Sequence, residues 1–192
     1  MEAVIRRQIL EAAGALIGEL GWGQVTTRKV AERAGVNNAL IHYYFGSKDA
    51  LLREAARTLF TEEFEGPLTA LVAAEGILAG IDGFFAALDS IESGPAARTG
   101  VEVVMQGLRD PEISAWFAEM LEASRMALAE VIARQQADGE VPAHLDPDGT
   151  AMVVIGALDS FVLYRLVHPD IDLTAARTAF HEMLSPTERN EE

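Results

Sequence analysis

The stretch Val25–Leu52, VTTRKVAERAGVNNALIHYYFGSKDALL, predicts two short helices joined by a tight turn and followed at once by a third helix. Thr26 and Asn37 are suited to cap the first two of these helices, because a short polar side chain can accept a hydrogen bond from an N–H of the first helical turn. Gly35 and Gly46 stand where those helices end, and glycine adopts the left-handed conformation needed there at little cost. Helix, glycine turn and helix is the arrangement of the helix-turn-helix motif, whose second helix enters the major groove of DNA.

The second predicted helix has two chemically different faces. At about 100° per residue, one face carries most of the apolar bulk and the other carries small or polar groups; the first consists of Asn37, Leu40, Ile41 and Tyr44, and the second of Asn38, Ala39, His42 and Tyr43. The second face has no carboxylate, so it does not repel phosphates. An Asn amide can bond adenine, an alanine methyl can contact the thymine methyl, and His and Tyr can donate to phosphate oxygens.

Cationic and hydroxyl groups flank this helix on both sides. Thr27 and Arg28 open the helix before it, and Lys48 opens the helix after it. The beginning of a helix offers unbonded N–H groups and partial positive charge to a phosphate. The residues that we predict to bind DNA are therefore Thr27, Arg28, Asn37, Asn38, Ala39, His42, Tyr43 and Lys48.

The segments TTRKVAERAGV and ALIHYYFGSKDALL resemble the DNA-binding domain of the tetracycline-repressor (TetR) family of bacterial transcription regulators, over residues 5–55. The resemblance implies an all-helical homodimer that binds a palindromic operator through its amino-terminal domain and a small-molecule effector through its carboxy-terminal domain. Family members most often have Thr-Leu-Tyr where this chain has Leu40-Ile41-His42. We therefore rank Asn38, Ala39 and Tyr43 above Leu40 and His42 as DNA contacts.

Hydrophobic periodicity predicts an all-α fold along the whole chain of 192 residues. We expect an N-terminal three-helix helix-turn-helix domain, residues 1–46, and a C-terminal helical bundle for ligand binding and dimerisation, residues 47–192. No flexible linker separates the two parts. Beyond the three helices of the motif and a first helix, Val4–Leu20, the predicted helices are 67–76 (short), 77–91, 99–108, 111–137, 146–168 and 174–184, with a loop at 93–95.

The formal net charge of −15 opposes DNA binding, but the charge is unevenly distributed. Residues 1–55 contain seven Lys or Arg and six Asp or Glu, whereas the remainder contains eight basic and 24 acidic residues. Repulsion from the acidic part weakens beyond the Debye length of about 10 Å at 0.1 M salt. We expect a modest salt dependence, because few cations are available and each neutralised phosphate adds about 0.9 to the log–log slope.

The segment Ala151–Val167 is apolar nearly all round, which predicts a helix that is buried on more than one side. A monomer could bury it as a central core helix. We favour the alternative, a homodimer in which the last two helices meet their copies across a twofold axis, because helix-turn-helix proteins bind half-sites about 34 Å apart. Asp159, Ser160 and Arg165 interrupt the segment, and it is short for a membrane span.

An effector site between helices is expected to be lined by large apolar side chains with few polar ones. The candidates are Phe60, Phe64, Phe84, Leu88, Met105, Trp116, Met120 and Tyr164, each of which could equally be ordinary core. Asp159 is a further candidate, because an unpaired carboxylate among apolar neighbours is costly. It either pairs with Arg165 or another arginine, or receives a polar group of the ligand.

Enzymatic activity is not expected. The sequence has no HExxH, GxSxG or CxxC motif and no cysteine, and its four histidines are scattered, so we predict no catalytic residues, no metal site and no cofactor. The amino terminus lacks the pattern of a signal peptide, which favours a cytoplasmic protein. The main alternative to a DNA-binding repressor is a protein-interaction adaptor that keeps the helix-turn-helix fold without reading DNA; an acidic helical enzyme is a more distant one.

Overall fold

The computed structural model describes residues 2–61, 71, 73–90 and 95–186. Within these residues all regular structure is helical, as predicted. The helices are α1 (Glu2–Leu20), a short 3₁₀ turn (Trp22–Gln24), α2 (Thr27–Ala34), α3 (Asn38–Phe45), α4 (Lys48–Phe60), α5 (Ile77–Ser90), α6 (Pro95–Gly107), α7 (Pro111–Ala137), α8 (Pro147–Val167) and α9 (Thr174–Leu184).

Most predicted boundaries lie within two residues of those observed. The exception is α6, which begins at Pro95, in the predicted loop, instead of Thr99. A proline is well suited to the first turn of a helix, because its missing N–H would have no intrahelical partner there. The rest of that loop, residues 93–94, and most of the predicted helix 67–76 lie outside the described residues.

The two glycine turns of the motif have the predicted geometry. Gly35 ends α2 with φ of 65° and ψ of 30°, and its N–H donates to carbonyls in the last turn of α2. Gly46 ends α3 with φ of 73°. Because L-residues with a side chain rarely adopt positive φ, both turns depend on glycine. They fix the angle at which α3 leaves α2 and the point at which α4 begins.

The described chain divides into two compact units. The first comprises Met1–Gly66 with Glu92–Phe117, and the second comprises Pro67–Ile91 with Ala118–Glu192. The boundary therefore falls within α7 and differs from the predicted functional boundary between residues 46 and 47. That functional division stays a prediction, because compactness alone does not locate DNA-binding or ligand-binding surfaces.

In the first unit, α1 is the central element, and it packs against α2, α4 and α6. Its core consists of side chains at helical spacing, among them Ile9, Ile17, Ile41, Leu51 and Leu52, each at most 1% exposed. Gly14 lets the side chain of Leu59 lie close to α1, since a Cβ there would collide with the Leu59 Cδ1 and force this side chain to move. Trp22 packs against this core while half-buried.

The second unit has a separate core, formed by α5, α9 and the parts of α7 and α8 that face them. Three rings meet in it, with centroids of Phe85 and Phe161 5.5 Å apart and those of Phe161 and Phe180 6.2 Å apart. Asp82 on α5 accepts hydrogen bonds from Arg177 and His181 on α9, at 2.7 and 2.8 Å. These contacts fix α9 against α5.

Helix α8 is buried on one side only. Ala151, Val154, Ile155 and Leu158 lie in the core, whereas the opposite side is exposed and largely apolar. By length and composition α8 could cross a membrane, although a helix that buries its apolar side against a partner would pass the same test. The monomer alternative, in which α8 is a fully buried core helix, does not fit this exposure.

Candidate nucleic-acid interface

Helix α3 presents the predicted polar face to solvent. Ala39 and His42 are exposed, and Tyr43 is 76% exposed. The opposite face packs as expected: Ile41 is buried in the core, and Tyr44 is half-buried against it. Tyr43 also contacts Tyr44 edge to face, with ring centroids 5.2 Å apart, which supports the orientation of its phenol.

Capping side chains set the beginnings of all three helices of the motif. The Oγ1 of Thr26 accepts from the N–H of Lys29 at 3.3 Å, the Oδ1 of Asn37 from Ala39 at 2.8 Å, and the Oγ of Ser47 from Ala50 at 3.1 Å. Other first-turn N–H groups keep no intrahelical partner and are available to an anion. The side chain of Asn37, predicted to bind DNA, is therefore already engaged as a helix cap.

The cations of residues 1–55 fall into two groups. Four arginines pair with carboxylates of the same unit: Arg6 with Glu54, Arg7 with Glu11, Arg33 with Glu19, and Arg53 with Asp110 and Glu112. Arg28, Lys29 and Lys48 form no ion pair with any carboxylate in the described part of the chain.

The three unneutralised cations all flank α3. Arg28 and Lys29 lie in the first turn of α2, and Lys48 is the first residue of α4. The ammonium of Lys29 donates to the carbonyl of Gln24 at 3.0 Å and keeps its charge. Because ion pairs engage the other cations of residues 2–55, the unneutralised positive charge of this segment lies beside α3.

Asn38 departs from the prediction in part. Its side chain is half-buried, and its Oδ1 is enclosed without a hydrogen-bond partner among the described residues. An enclosed amide oxygen cannot accept from a base edge, so only the amide nitrogen of Asn38 remains to be offered to DNA. Thr27 is likewise half-buried, whereas Arg28 is exposed.

A polar cluster holds the middle of α4, the helix that follows the motif. The Nε of Arg53 donates to Oδ2 of Asp110 at 2.7 Å, and another guanidinium nitrogen donates to Glu112 at 2.7 Å. The other carboxylate oxygen of Asp110 caps α7 by accepting from the N–H of Glu112 and Ile113, at 3.0 and 3.4 Å. Arg57 adds a bond to the carbonyl of Glu112 at 3.2 Å.

Asp110 is only 9% exposed. Burial acts to raise the pKa of this carboxyl. The hydrogen bonds from Arg53 and the two backbone N–H groups outweigh burial and hold that pKa below its usual value. The carboxylate thus joins α4 to the beginning of α7. Sequence reasoning missed this connection, because Asp110-Pro111, a capping residue followed by a first-turn proline, signals only the beginning of α7.

The side chains predicted to bind an effector are distributed over both compact units. Phe60, Met105 and Trp116 belong to the first unit; Phe84, Leu88, Met120, Asp159 and Tyr164 belong to the second; Phe64 lies outside the described residues. In the first unit, Phe60 packs edge to face on Trp116 and Phe117, with ring centroids 5.6 and 4.7 Å away. In the second, Leu88 is buried, whereas Tyr164 is 56% exposed.

Asp159 makes no hydrogen bond or ion pair with any described residue, so the predicted pairing with Arg165 is not formed. A guanidinium nitrogen of Arg165 donates instead to the carbonyl of Pro169 at 2.8 Å. Desolvation by surrounding protein atoms raises the pKa of the Asp159 carboxyl to about 6, although the residue remains exposed to solvent. Among the described residues, no group of three or more His, Asp or Glu side chains could hold a metal ion.

Comparison with known sequences supports the amino-terminal part specifically. Residues 9–55 match the family described as bacterial regulatory proteins, tetR family. The HTH-type transcriptional regulator BetI of Agrobacterium fabrum is 41% identical over 76 residues, which is 40% of this chain and 37% of that protein. The matched segment thus spans little more than a third of the curated relative, and the likeness in sequence concentrates in the motif-bearing unit.

Solved structures resemble the chain over nearly its whole length. A TetR transcription regulator from Haloarcula marismortui has a TM-score of 0.77 at 20% identity and covers 95% of this chain and 97% of its own. A putative transcriptional regulator from Saccharomonospora viridis in complex with choline has a TM-score of 0.75 at 22% identity and covers 94% and 95%. At such identities the likeness establishes the fold.

The regulators of this family bind DNA operators and form dimers. The motif, its capped helices, the exposed acid-free face of α3 and the match over residues 9–55 agree with one another. Over residues 9–55 the chain is similar to the tetR family of bacterial regulatory proteins, and the described part of the chain has the fold of solved regulators of that family.

Proposed function

We propose that the protein is a DNA-binding transcriptional repressor that binds a palindromic operator as a homodimer and is released by a small-molecule effector. The observation that carries the proposal is the surface of α3, which is exposed, free of carboxylates and flanked by the only cations of residues 2–55 that have no carboxylate partner among the described residues. Such a surface suits the major groove, where base edges lie between two rows of phosphates.

On this surface, each group has a distinct role. Tyr43, with its exposed phenol, and Ala39, with its methyl, are the residues we propose to contact DNA most directly, with His42 beside them. Arg28 and Lys48 neutralise phosphates on either side, together with the N-termini of α2 and α4. Asn37 contributes by capping α3 with its side chain. The half-buried Thr27 contributes through the backbone at the beginning of α2, and Asn38 offers its amide nitrogen.

The last two helices form the proposed homodimer interface. The exposed side of α8 carries Met152, Val153, Leu163, Tyr164 and Val167, which are 54–78% exposed. Exposed Ala175, Ala179 and Met183 extend this surface on α9. Several large apolar side chains exposed on one helix favour a protein partner, and a second copy of the chain supplies the paired recognition helices that a palindrome requires.

The effector is proposed to be a small and largely apolar molecule, bound among the large side chains of the carboxy-terminal part. The choline found with the Saccharomonospora viridis regulator supports small-molecule binding by this fold. Asp110 and Arg53 supply the mechanical link, because they join the beginning of α7 to α4, which is connected to α3 by Gly46 and Ser47 alone. A ligand that prefers one orientation of α7 would shift the population of DNA-binding molecules by its differential affinity.

Operator binding by the purified protein tests the proposal. Footprinting on the DNA upstream of its own gene should reveal a palindromic site, and fluorescence anisotropy then gives the affinity for it. Tyr43→Ala and Lys48→Ala should each weaken binding about tenfold or more, because each contact is lost in both subunits. Arg134→Ala, which removes an exposed cation of α7, serves as the matched control and should leave the affinity unchanged.

A wild-type protein that binds no DNA specifically, yet is folded and dimeric, would favour the adaptor alternative. The acidic net charge of −15 is the feature consistent with that alternative. We place the repressor in the cytoplasm, where the chromosome lies.

A further inference from the structure

The exposed surface of α8 contains a single carboxylate among the residues that the structure describes between 152 and 167. Asp159 lies seven residues after Met152, three after Gly156 and four before Leu163, all of which are exposed. These spacings place the four residues on one stripe of the helix. A Cβ at Gly156 would meet nothing within 4 Å, so the stripe is open to the close approach of another helix.

Two hydroxyl groups of this surface are already satisfied within their own helices. The hydroxyl of Ser160 donates to the carbonyl of Gly156 at 2.9 Å, and that of Thr178 on α9 donates to Thr174 at 3.0 Å. Covering these hydroxyls costs little, because their hydrogen bonds persist without water. Asp159 differs, since it has no partner to replace the water that a covering subunit would remove.

We infer that Asp159 makes self-association of this protein depend on pH, because the two copies come together most tightly when this side chain is neutral. The inference rests on the homodimer interface proposed above. The existence of that interface is part of the proposed function, and the inference adds only how the charge of Asp159 affects it.

The charged groups around α8 leave Asp159 without a counter-charge. On α5, Asp82 is held by Arg177 and His181 of α9, and on α7, Arg125 is held by Glu122 and Asp148. On α8 itself, Arg165 turns to the carbonyl of Pro169. The other ionisable groups of these two helices are the exposed Tyr164 of α8 and Glu182 of α9, and the exposed His168 directly follows α8. Desolvation is the one cause of the raised pKa of Asp159, about 6, so none of these groups offsets it.

The sign of the effect follows from linkage. Desolvation penalises the charged carboxylate, and an approaching subunit removes more water, so the pKa of Asp159 rises further in the dimer. Between about pH 6 and the higher pKa of the dimer, association takes up protons, and the dissociation constant therefore rises with pH. The limit is about tenfold per pH unit for each carboxyl, or about 100-fold for the symmetric pair.

Sedimentation equilibrium of the full chain from pH 5.5 to 8 tests the inference, with circular dichroism at each pH to confirm folding. The dimer dissociation constant of the wild type should rise at least about tenfold from pH 6 to pH 8. Asp159→Asn should make it independent of pH and tighter than the wild type at pH 8. Glu130→Gln, which removes an exposed charge of α7, should retain the wild-type dependence.

The outcomes separate the two claims. A dimeric wild type whose dissociation constant does not change with pH, or an Asp159→Asn variant that keeps the wild-type slope, overturns the role of Asp159 and leaves the dimer intact. A wild type and variant that are both monomeric at pH 5.5 overturn the proposed dimer as well. If Asp159→Asn fails to fold, Asp159→Ser provides the same loss of charge with a smaller side chain.

Discussion

The side chains on the outer surfaces of α3 and α8 are exposed to a similar degree, but the two surfaces differ in chemical character. Tyr43 on α3 and Val167 on α8 are 76% and 78% exposed, respectively. Around Tyr43 lie an imidazole, a methyl and unneutralised cations, whereas around Val167 lie apolar side chains and hydroxyls that bond their own helix. The first surface suits a hydrated, anionic partner and the second suits one that excludes water.

The amount of exposed surface therefore does not identify a partner. Whether the polar groups of the surface already have hydrogen-bond or ion-pair partners is more informative. On the α3 side, Arg6, Arg33 and Arg53 form ion pairs with carboxylates, whereas the cations at the beginnings of α2 and α4 have no carboxylate partner among the described residues. On the α8 side, the hydroxyl of Ser160 bonds within its own helix, whereas the carboxylate of Asp159 has no partner among the described residues. Substitutions at three places in the chain test this interpretation.

The largest effect is expected from placing a charge on the α8 surface. Leu163→Glu should convert the dimer to monomers at micromolar concentration and weaken operator binding more than about 100-fold, because it buries a second unpaired carboxylate per subunit and uncouples the two recognition helices. Sedimentation and anisotropy measure the two quantities on the same samples.

Leu121→Glu is the matched control, since Leu121 is a leucine 42% exposed on α7 and outside the α8 surface. It should leave both the dimer and operator binding unchanged. If the two variants behave alike, the α8 surface has no special role in association.

A smaller effect is expected from removing one cation beside α3. Lys48→Ala should lower the slope of log affinity against log salt by about 1.8, since each subunit loses one phosphate contact worth about 0.9. Arg33→Ala removes the same charge from the same motif, but Arg33 is held by Glu19 at 2.6 and 2.9 Å and should not change the slope. Equal changes in slope for both variants would contradict the division of cations into paired and unneutralised groups.

Local sequence chemistry predicted the motif well, because its determinants are short-range. Thr26, Asn37 and Ser47 cap the helices that their positions indicated, and Gly35 and Gly46 supply the positive φ angles. Periodicity likewise placed Ile41 on the buried face of α3 and Tyr43 on its exposed face. Each of these features depends on residues within four positions of one another, and such spacing is readable from the chain.

Contacts between distant residues were not predictable in the same way. Arg53 and Asp110 are 57 residues apart, and nothing in either neighbourhood indicates the other. The enclosure of the Asn38 amide oxygen and the absence of a pair between Asp159 and Arg165 depend equally on tertiary packing. The effector site was the least predictable, since large apolar side chains line cores and ligand sites alike.

The smallest effect is expected within the first unit, at the carboxylate that joins α4 to α7. Asp110→Ala should lower the free energy of unfolding by about 1–3 kcal/mol, because it removes a helix cap and leaves Arg53 without one of its partners. Asp110→Asn should cost less, since an Asn side chain still caps a helix and loses only the charge. Urea unfolding of the two variants against the wild type separates the cap from the ion pair.

The pH dependence of this effect has a definite sign. Because the pKa of Asp110 is lower in the folded protein than its usual value of 3.8, its contribution is fully present above pH 3.8 and is lost as the pH falls through the folded pKa. The stability difference between wild type and Asp110→Asn should therefore shrink below about pH 4. A difference that persists unchanged at pH 3 would mean that the charge of Asp110 contributes nothing, and that the α3 surface is coupled to α7 through packing alone.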